Sequence, residues 1–182
     1  MKITIVSGSP RKQSRNVRTA LYLESELKKK GVDVTLLDMR SITLPMIQVV
    51  WEEPELVPAE FKSLYETIYA TEAFIFVSPE YNGGYSPAMK NLIDHFPKSA
   101  FQRKPFGIVT GSIGEFGGMR AALQMQLLAI ALFSIPSPRM LIVPNVDKKF
   151  NVDGTLEDKV FQASVDTFLD EYLWLANKLI GH

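Results

Sequence analysis

Ala73-Phe-Ile-Phe-Val-Ser-Pro-Glu-Tyr-Asn-Gly-Gly84 is the stretch on which the fold turns. Its first five residues are a continuous apolar run, which reads as a strand covered on both faces, and parallel sheets are where such strands occur. Ser78 to Gly84 follows as a loop, and Ser86 and Pro87 then supply a helix N-cap and a first helical residue. A loop so placed lies at the carboxyl end of a sheet, the edge at which open α/β sheets bind ligands. Gly83 and Gly84 permit positive φ and close backbone approach, while Glu80, Tyr81 and Asn82 offer a carboxylate, an aromatic ring and an amide. Those groups suit a flat heterocycle with polar edges better than a metal or a scissile bond.

Strand and helix signals alternate on both sides of this loop. Lys2 to Val6 alternates and is β-branched, which predicts the first strand, with Ser7 to Gln13 as the loop beyond it. A helix is predicted from Ser14 to Lys30, where Val17, Ala20, Leu21 and Leu27 recur at helical spacing and Gly31 is placed to end it. Val32 to Leu37 is the second strand. Pro45, Pro54 and Pro58 punctuate the next stretch, and apolar Met46, Ile47, Val49, Val50 and Trp51 make it an ordered excursion rather than a linker. A helix over 59–70, the strand at 73–77, a helix over 87–96 and a strand over 106–110 follow. The glycine loop Gly111 to Gly118 feeds a fourth helix, 119–133, apolar on nearly every side and therefore expected to be buried by the sheet and by a second subunit. Met140 to Val143 is the fifth strand. The last helix is expected to start near Thr155, whose spacing to Asp158 approximates a capping box. Five strands alternating with five helices predict one domain over 1–182 of the α/β class, a doubly wound five-stranded parallel sheet in the order 2-1-3-4-5 with helices on both faces.

Composition narrows the function. A chain of 182 residues, 46% hydrophobic and 22% charged, is the size of one globular domain that buries roughly 70% of its unfolded surface. Twenty basic and twenty acidic residues cancel, so no global field draws the protein to nucleic acid or anionic membrane, and an acidic electron carrier is disfavoured. The absence of cysteine removes disulfides, Fe–S clusters, thiolate nucleophiles and C-x5-R phosphatases together, so any redox electrons must reside on a bound cofactor. Two histidines without paired spacing supply no metal-ligand set. The amino terminus reaches a Ser/Gly/Arg loop too soon for a signal peptide, and the longest apolar run, Leu127 to Phe133, is too short to span a bilayer. A soluble cytoplasmic protein is expected.

In a 2-1-3-4-5 sheet the first and third strands are neighbours whose helices lie on opposite faces, so Gly8 to Asn16 lies beside Ser78 to Gly84 across a crevice. Gly111 to Gly118 closes it. The first loop has the chemistry of an anion site: hydroxyls of Ser7, Ser9 and Ser14, the Arg11 guanidinium, the Asn16 amide and the positive end of the first helix. It lacks G-x-G-x-x-G and G-K-[ST], which favours one terminal phosphate over a pyrophosphate. Either loop alone is equally well a plain turn of a parallel α/β protein. A monophosphate at one and a planar ring at the other describe flavin mononucleotide (FMN). A hydrolytic triad of Asp94-His95 with Ser9 or Ser112 is disfavoured, because adjacent helical residues diverge by about 100° and no G-x-S-x-G elbow exists. His182 is terminal and expected to be disordered, and Asp94 reads as a helix-surface or loop-bracing carboxylate. Glu80 is open between an ion pair with Lys90 and contact with the flavin, and Arg120 between a nicotinamide cofactor's phosphate and a subunit contact.

Gly8-Ser9-Pro10-Arg11…Ser14-Arg15-Asn16, Ser78-Pro79-Glu80-Tyr81-Asn82-Gly83 with Lys90-Asn91-Leu-Ile-Asp94, and Gly111-Ser112…Gly114…Gly117-Gly118 closely resemble the NADPH-dependent FMN reductase family of flavodoxin-like proteins, which includes quinone, chromate and azo-dye reductases. The resemblance runs from Lys2 to about Phe133. It implies that Ser9, Arg11, Ser14, Arg15 and Asn16 form a phosphate loop, that Pro79, Glu80, Tyr81, Asn82 and Gly83 line the isoalloxazine, and that Ser112 and Gly114 approach the ring from the fourth-strand loop. It further implies tightly bound FMN, NADPH or NADH as co-substrate, a small-molecule acceptor, and a homodimer or homotetramer with the helix after Gly118 in the interface. Hydride would pass from a nicotinamide stacked on the flavin, and the nucleotide would leave before the acceptor entered, a ping-pong sequence in which no protein side chain is the catalytic group. Two departures leave the acceptor open: His95-Phe96 stands where the family often has Trp, and the excursion around Trp51 matches no family motif. The alternative from another class is a non-catalytic FMN electron carrier or a regulatory flavoprotein.

Overall fold

Every strand pairing in the computed structural model, which describes residues 1–181, is parallel, and His182 lies outside the described residues. β1 (Lys2–Ser7) is flanked by β2 (Asp33–Asp38) and β3 (Ala73–Pro79), and β4 (Pro105–Gly111) follows β3. The order is the expected doubly wound, flavodoxin-like one, with a difference at the fifth position. There β5 (Ile135–Pro136) pairs with Pro105 and Phe106, and β6 (Leu141–Val143) pairs with Val109 to Gly111. Pro136 and Pro138 account for the break, because proline has no N–H to give to a ladder.

β3 explains its own sequence. Ala73, Ile75 and Val77 turn to one face, where α1 (Asn16–Lys29) and α6 (Gln162–Ile180) cover them through Leu23, Leu27, Phe168 and Tyr172. Phe74 and Phe76 turn to the other, under α2 (Lys62–Ala70), α3 (Pro87–Asp94) and α4 (Met119–Ala131). Successive side chains on a strand point to opposite faces, so a strand buried twice must be apolar throughout. The second face is aromatic: Phe74 stacks on Phe76 at 5.4 Å and Phe76 on Phe106 at 4.4 Å.

Three expectations are corrected. The last helix does not start near Thr155. Asp158 is the cap, accepting from the N–H groups of Val160 (3.1 Å) and Phe161 (3.3 Å) ahead of a short 3-10 turn and α6. The Lys149 ammonium, 2.7 Å away on the unanticipated short helix α5 (Val146–Lys149), holds the Asp158 carboxyl below the usual carboxylate range. Helix α4 buries only its small-residue side, Ala121, Ala122, Met125 and Ala129, and leaves Met119, Leu123, Leu127 and Ile130 exposed. Glu80 does not pair with Lys90, which bonds to Asp94 one turn along α3.

The proline-rich excursion is ordered, as its apolar content requires. Trp51 is 3% exposed, stacked on Phe61 at 5.5 Å and against His95 at 4.5 Å, and its backbone N–H donates to the His95 carbonyl at 2.7 Å. Asn91 pins the segment to α3, accepting from the Ile47 N–H (3.0 Å) and donating to the Pro45 carbonyl (2.8 Å). His95 is thereby a buried packing residue. Trp51→Ala should cost about 3 kcal/mol of unfolding free energy in urea titration, the lower end for emptying a buried aromatic site. A loss under about 1 kcal/mol would mean that the excursion contributes little to the core.

Candidate functional site

The three ligand loops leave the sheet side by side because the β1–β3 ladder continues past the strands. The Gly8 N–H donates to the Val77 carbonyl at 2.8 Å. The Ser86 hydroxyl then donates to the Gly8 carbonyl while accepting from the Met89 N–H at 3.1 Å, so the residue that caps α3 also fastens the first loop. A Cβ at Gly8 would press on the buried Met89 side chain, which would have to shift to admit it. Ser78 completes the joint, its hydroxyl accepting from the Ser86 N–H at 2.9 Å.

Asn16, the first residue of α1, ties the first loop to the end of β4. Its Nδ2 donates to the Gly111 carbonyl at 3.0 Å, and a Cβ at Gly111 would overlap its Oδ1. That Oδ1 is buried and, among the described residues, has no hydrogen-bond partner. A buried acceptor without a donor is costly, and that cost falls where the first loop meets the end of β4.

Tyr81 to Gly84 forms a tight hairpin, with the Tyr81 N–H donating to the Gly84 carbonyl (2.8 Å) and the Gly84 N–H to the Tyr81 carbonyl (3.0 Å). Asn82 (φ 52°) and Gly83 (φ 85°) both take positive φ, the requirement that an Asn-Gly pair meets in such turns. The Tyr81 side chain reaches across to the first loop, its hydroxyl 3.1 Å from Ser9 Oγ and its ring 4.3 Å under the Arg11 guanidinium. The aromatic ring that sequence placed with the isoalloxazine segment thus contacts the first loop.

Glu80 is largely buried and, instead of pairing with Lys90, is held to the start of α4. Gly118 opens α4 with φ 86° and no side chain to cap it. The Glu80 carboxylate supplies the cap from the neighbouring loop, accepting from the N–H groups of Arg120 (3.1 Å) and Ala121 (3.4 Å) and pairing with the Arg120 guanidinium at 3.2 Å. The fourth loop is backed from behind: Ser112 N–H to Val143 carbonyl at 3.2 Å, and Val146 N–H to Ser112 carbonyl at 3.0 Å.

Together these loops wall a cleft of about 840 Å³. Of the residues expected from sequence, Ser9, Arg11, Ser14, Arg15, Asn16, Pro79, Glu80, Tyr81, Asn82 and Ser112 line it, whereas Gly83 and Gly114 shape the turns behind. The cleft also takes Lys12, Arg18, Arg40, Ile113, Val146 and Val152, which were missed. Arg40 was within reach of topology, since it directly follows the strand beside β1. Val152 was not, because it lies far along the chain from the loops after β1, β3 and β4 and reaches the cleft only through the packing of its loop on α1.

A family model for NADPH-dependent FMN reductases matches residues 1–148. The FMN-dependent NADPH-azoreductase of Staphylococcus aureus is 26% identical over 181 residues, spanning 97% of this chain and 96% of the azoreductase. The flavoenzyme NAD(P)H:(acceptor) oxidoreductase FerB of Paracoccus denitrificans superposes with a TM-score of 0.83 at 22% identity, over 98% of both chains. A flavodoxin from Pseudomonas aeruginosa does so with a TM-score of 0.57 at 17% identity, over 97% of this chain and 99% of the flavodoxin. The two structural likenesses concern the fold.

Glu80→Ala should cost about 1–2 kcal/mol in urea denaturation, the usual loss when a helix cap is removed. Glu80→Gln, which keeps an acceptor oxygen, should recover part of it. Equal stability of wild type and Glu80→Ala would show that the carboxylate does not cap α4.

Proposed function

The chain belongs to the NADPH-dependent FMN reductase family, and on that premise we propose that it is an FMN-dependent oxidoreductase taking hydride from NADPH or NADH and reducing a small acceptor by a ping-pong sequence. Quinones, azo compounds, free flavin and metal oxyanions are the acceptor classes. In this proposal the chain works as one FMN-binding domain over 1–182, in the cytoplasm and as a homo-oligomer. The observation that carries it is one cleft with an anion cradle at the first loop and a rigid hairpin loop at the third.

The donor set fits FMN. Hydroxyls of Ser9 and Ser14, the Arg11 guanidinium and the positive end of α1 suit a terminal phosphate. A phosphate alone leaves Asn16 Oδ1 unsatisfied, because phosphate oxygens accept rather than donate. A sugar-alcohol chain attached to it supplies the missing donor. Pro79, Tyr81, Asn82 and Ser112 then line the part of the cleft left for the planar ring. When bound, FMN supplies the acceptance and delivery of hydride. The chain's own residues bind and orient it, and Glu80 keeps the third loop locked to α4 so that the ring edge meets fixed groups. The proposed route needs no protein acid or base.

The homo-oligomer is supported by α4. Met119, Leu123, Leu127 and Ile130 form an exposed apolar stripe that continues to Phe133 at one end and to Phe116 and Ile113 beside the cleft at the other. A contiguous apolar stripe on a helix is covered in a stable assembly, and a second copy brings the same stripe to meet it. Among the described residues no helix is long and apolar enough to cross a membrane.

Protein as purified, or after FMN addition, should carry flavin absorbance that bleaches rapidly with NADPH under anaerobic conditions and returns on adding a quinone. Bleaching only with a partner reductase would instead make it an electron carrier, and failure to take up FMN would remove the proposal. Light scattering after size exclusion should give at least a dimer, with Leu127→Glu shifting it to monomer; a monomeric wild type would reject the α4 interface.

A further inference from the structure

The hairpin of the third loop carries a chemistry that cofactor binding does not use. Of the six asparagines in the chain, only Asn82 is followed by glycine. The side-chain carbonyl carbon of an asparagine lies within reach of the next residue's backbone nitrogen, and a glycine there puts no side chain in the way of a five-membered ring. Asn16, Asn145 and Asn151 each precede valine, whose branched side chain crowds that approach. Asn82 is exposed, so its amide stands in water. The two hairpin hydrogen bonds use the N–H groups of Tyr81 and Gly84, and the Gly83 N–H has no acceptor among the described residues. The Gly83 position is also open: a Cβ built there would meet the Arg120 Cδ alone, at 3.7 Å.

Asp153-Gly154 is the other place where a side-chain carbonyl precedes a glycine in this way, and it is closed to the same chemistry. Its nitrogen is engaged, since the Gly154 N–H donates to the Asn151 carbonyl at 3.0 Å. Gly154 is packed on α1 so closely that a Cβ there would lie 2.7 Å from Leu21 Cβ. An acid cyclises through its neutral form, and the Thr155 N–H, 2.9 Å from Asp153 Oδ1, holds that carboxyl below the usual carboxylate range. The attacking nitrogen is thus held at 154 and free at 83.

We propose that Asn82 is a site of spontaneous covalent modification, converted to aspartate and isoaspartate, and that the conversion retires the third loop as a flavin-binding element when the cleft stands empty. The Gly83 nitrogen bonds to Asn82 Cγ, the Cγ–Nδ2 bond breaks, and Nδ2 leaves as ammonia with the Gly83 proton. Water then opens the cyclic imide at one carbonyl or the other, giving aspartate or isoaspartate, and no electrons are transferred. Isoaspartate adds a methylene to the main chain between Tyr81 and Gly84, which mismatches the two hairpin bonds. Either product adds a negative charge to a loop that already carries Glu80, and FMN is itself an anion, so the modified loop holds it less firmly. Ring closure requires the Asn82–Gly83 peptide to turn out of its hairpin geometry, and a ligand seated against Asn82, which lines the cleft, opposes that turn. The protection and the lost affinity rest on the flavin reading of this cleft, whereas the chemistry at Asn82 does not.

The test keeps wild-type protein, FMN-loaded and FMN-free, at mildly alkaline pH and follows it by peptide mapping that separates the asparagine, aspartate and isoaspartate forms, with urea-unfolded chain as the reference. In FMN-free protein Asn82 should convert several times faster than Asn145 and Asn151, with one ammonia released per converted chain. The rate should rise with pH, because the Gly83 nitrogen attacks after losing its proton, and saturating FMN should slow it several-fold. Converted protein, separated by anion exchange through its added charge, should bind FMN about tenfold more weakly, the scale of one unfavourable charge contact. Asn82→Asp, which has the charge without the longer main chain, should show part of that loss. An Asn82 that keeps its amide in FMN-free protein after the unfolded chain has converted, or a converted form that holds FMN as firmly as the unconverted one, overturns the inference and leaves the flavin reading standing. Conversion of Asn82 in a protein that takes up no FMN would remove the flavin reading, and with it the lost affinity, while keeping the modification site.

Discussion

The parallel ladder between β1 and β3 is the constraint from which the site follows. Its register sets Ser7 opposite Val77, and the next bond, Gly8 N–H to Val77 carbonyl, carries the ladder into the first loop. Two chain segments nearly seventy residues apart therefore leave the sheet together. The Ser86 hydroxyl then joins the first loop to the start of α3, so that helix formation and loop closure draw on the same group. A shift of one residue in this register would turn Phe74 and Phe76 to the wrong face and separate both loops, which is why the core and the cleft cannot be specified independently.

Much of this was legible in the sequence, because period and punctuation are local. The run 73–77, the glycines after β1, β3 and β4, and the Ser86-Pro87 start of α3 each state their structure within a few residues. What was not legible depends on partners distant in the chain. Glu80 sits 40 residues from the helix it caps, and nothing near it announces the uncapped Gly118. Thr155 and Asp158 both look like caps, and the chain turns helical only after the second, whose carboxylate meets the Val160 and Phe161 N–H groups and is held by the distant Lys149. The nearly all-apolar 119–133 helix predicts burial on all sides, yet Ala121, Ala122, Met125 and Ala129 lie inward while Leu123, Leu127 and Ile130 face outward, a distinction that composition does not make.

Charge illustrates the same limit. Twenty acids balance twenty bases over the chain, but the cleft gathers five cations to one carboxylate. Net neutrality rules out a long-range field while allowing a strong local one, since a concave wall concentrates the potential of the groups that line it. The first loop, the end of β2 and the segment after α5 each contribute to that wall, and only the fold brings them together.

The divided fifth strand has its own consequence. An exposed sheet edge with regular N–H and C=O groups is a template on which another chain can add a strand. Here the outer edge offers only two residues in β5 and three in β6, separated by a Pro-Ser-Pro corner that cannot sustain a ladder. Molecules meeting at this edge find no continuous row of bonds to extend, so strand addition is blocked here and left to the opposite edge at β2, while the apolar side of α4 stays available for a closed, finite assembly.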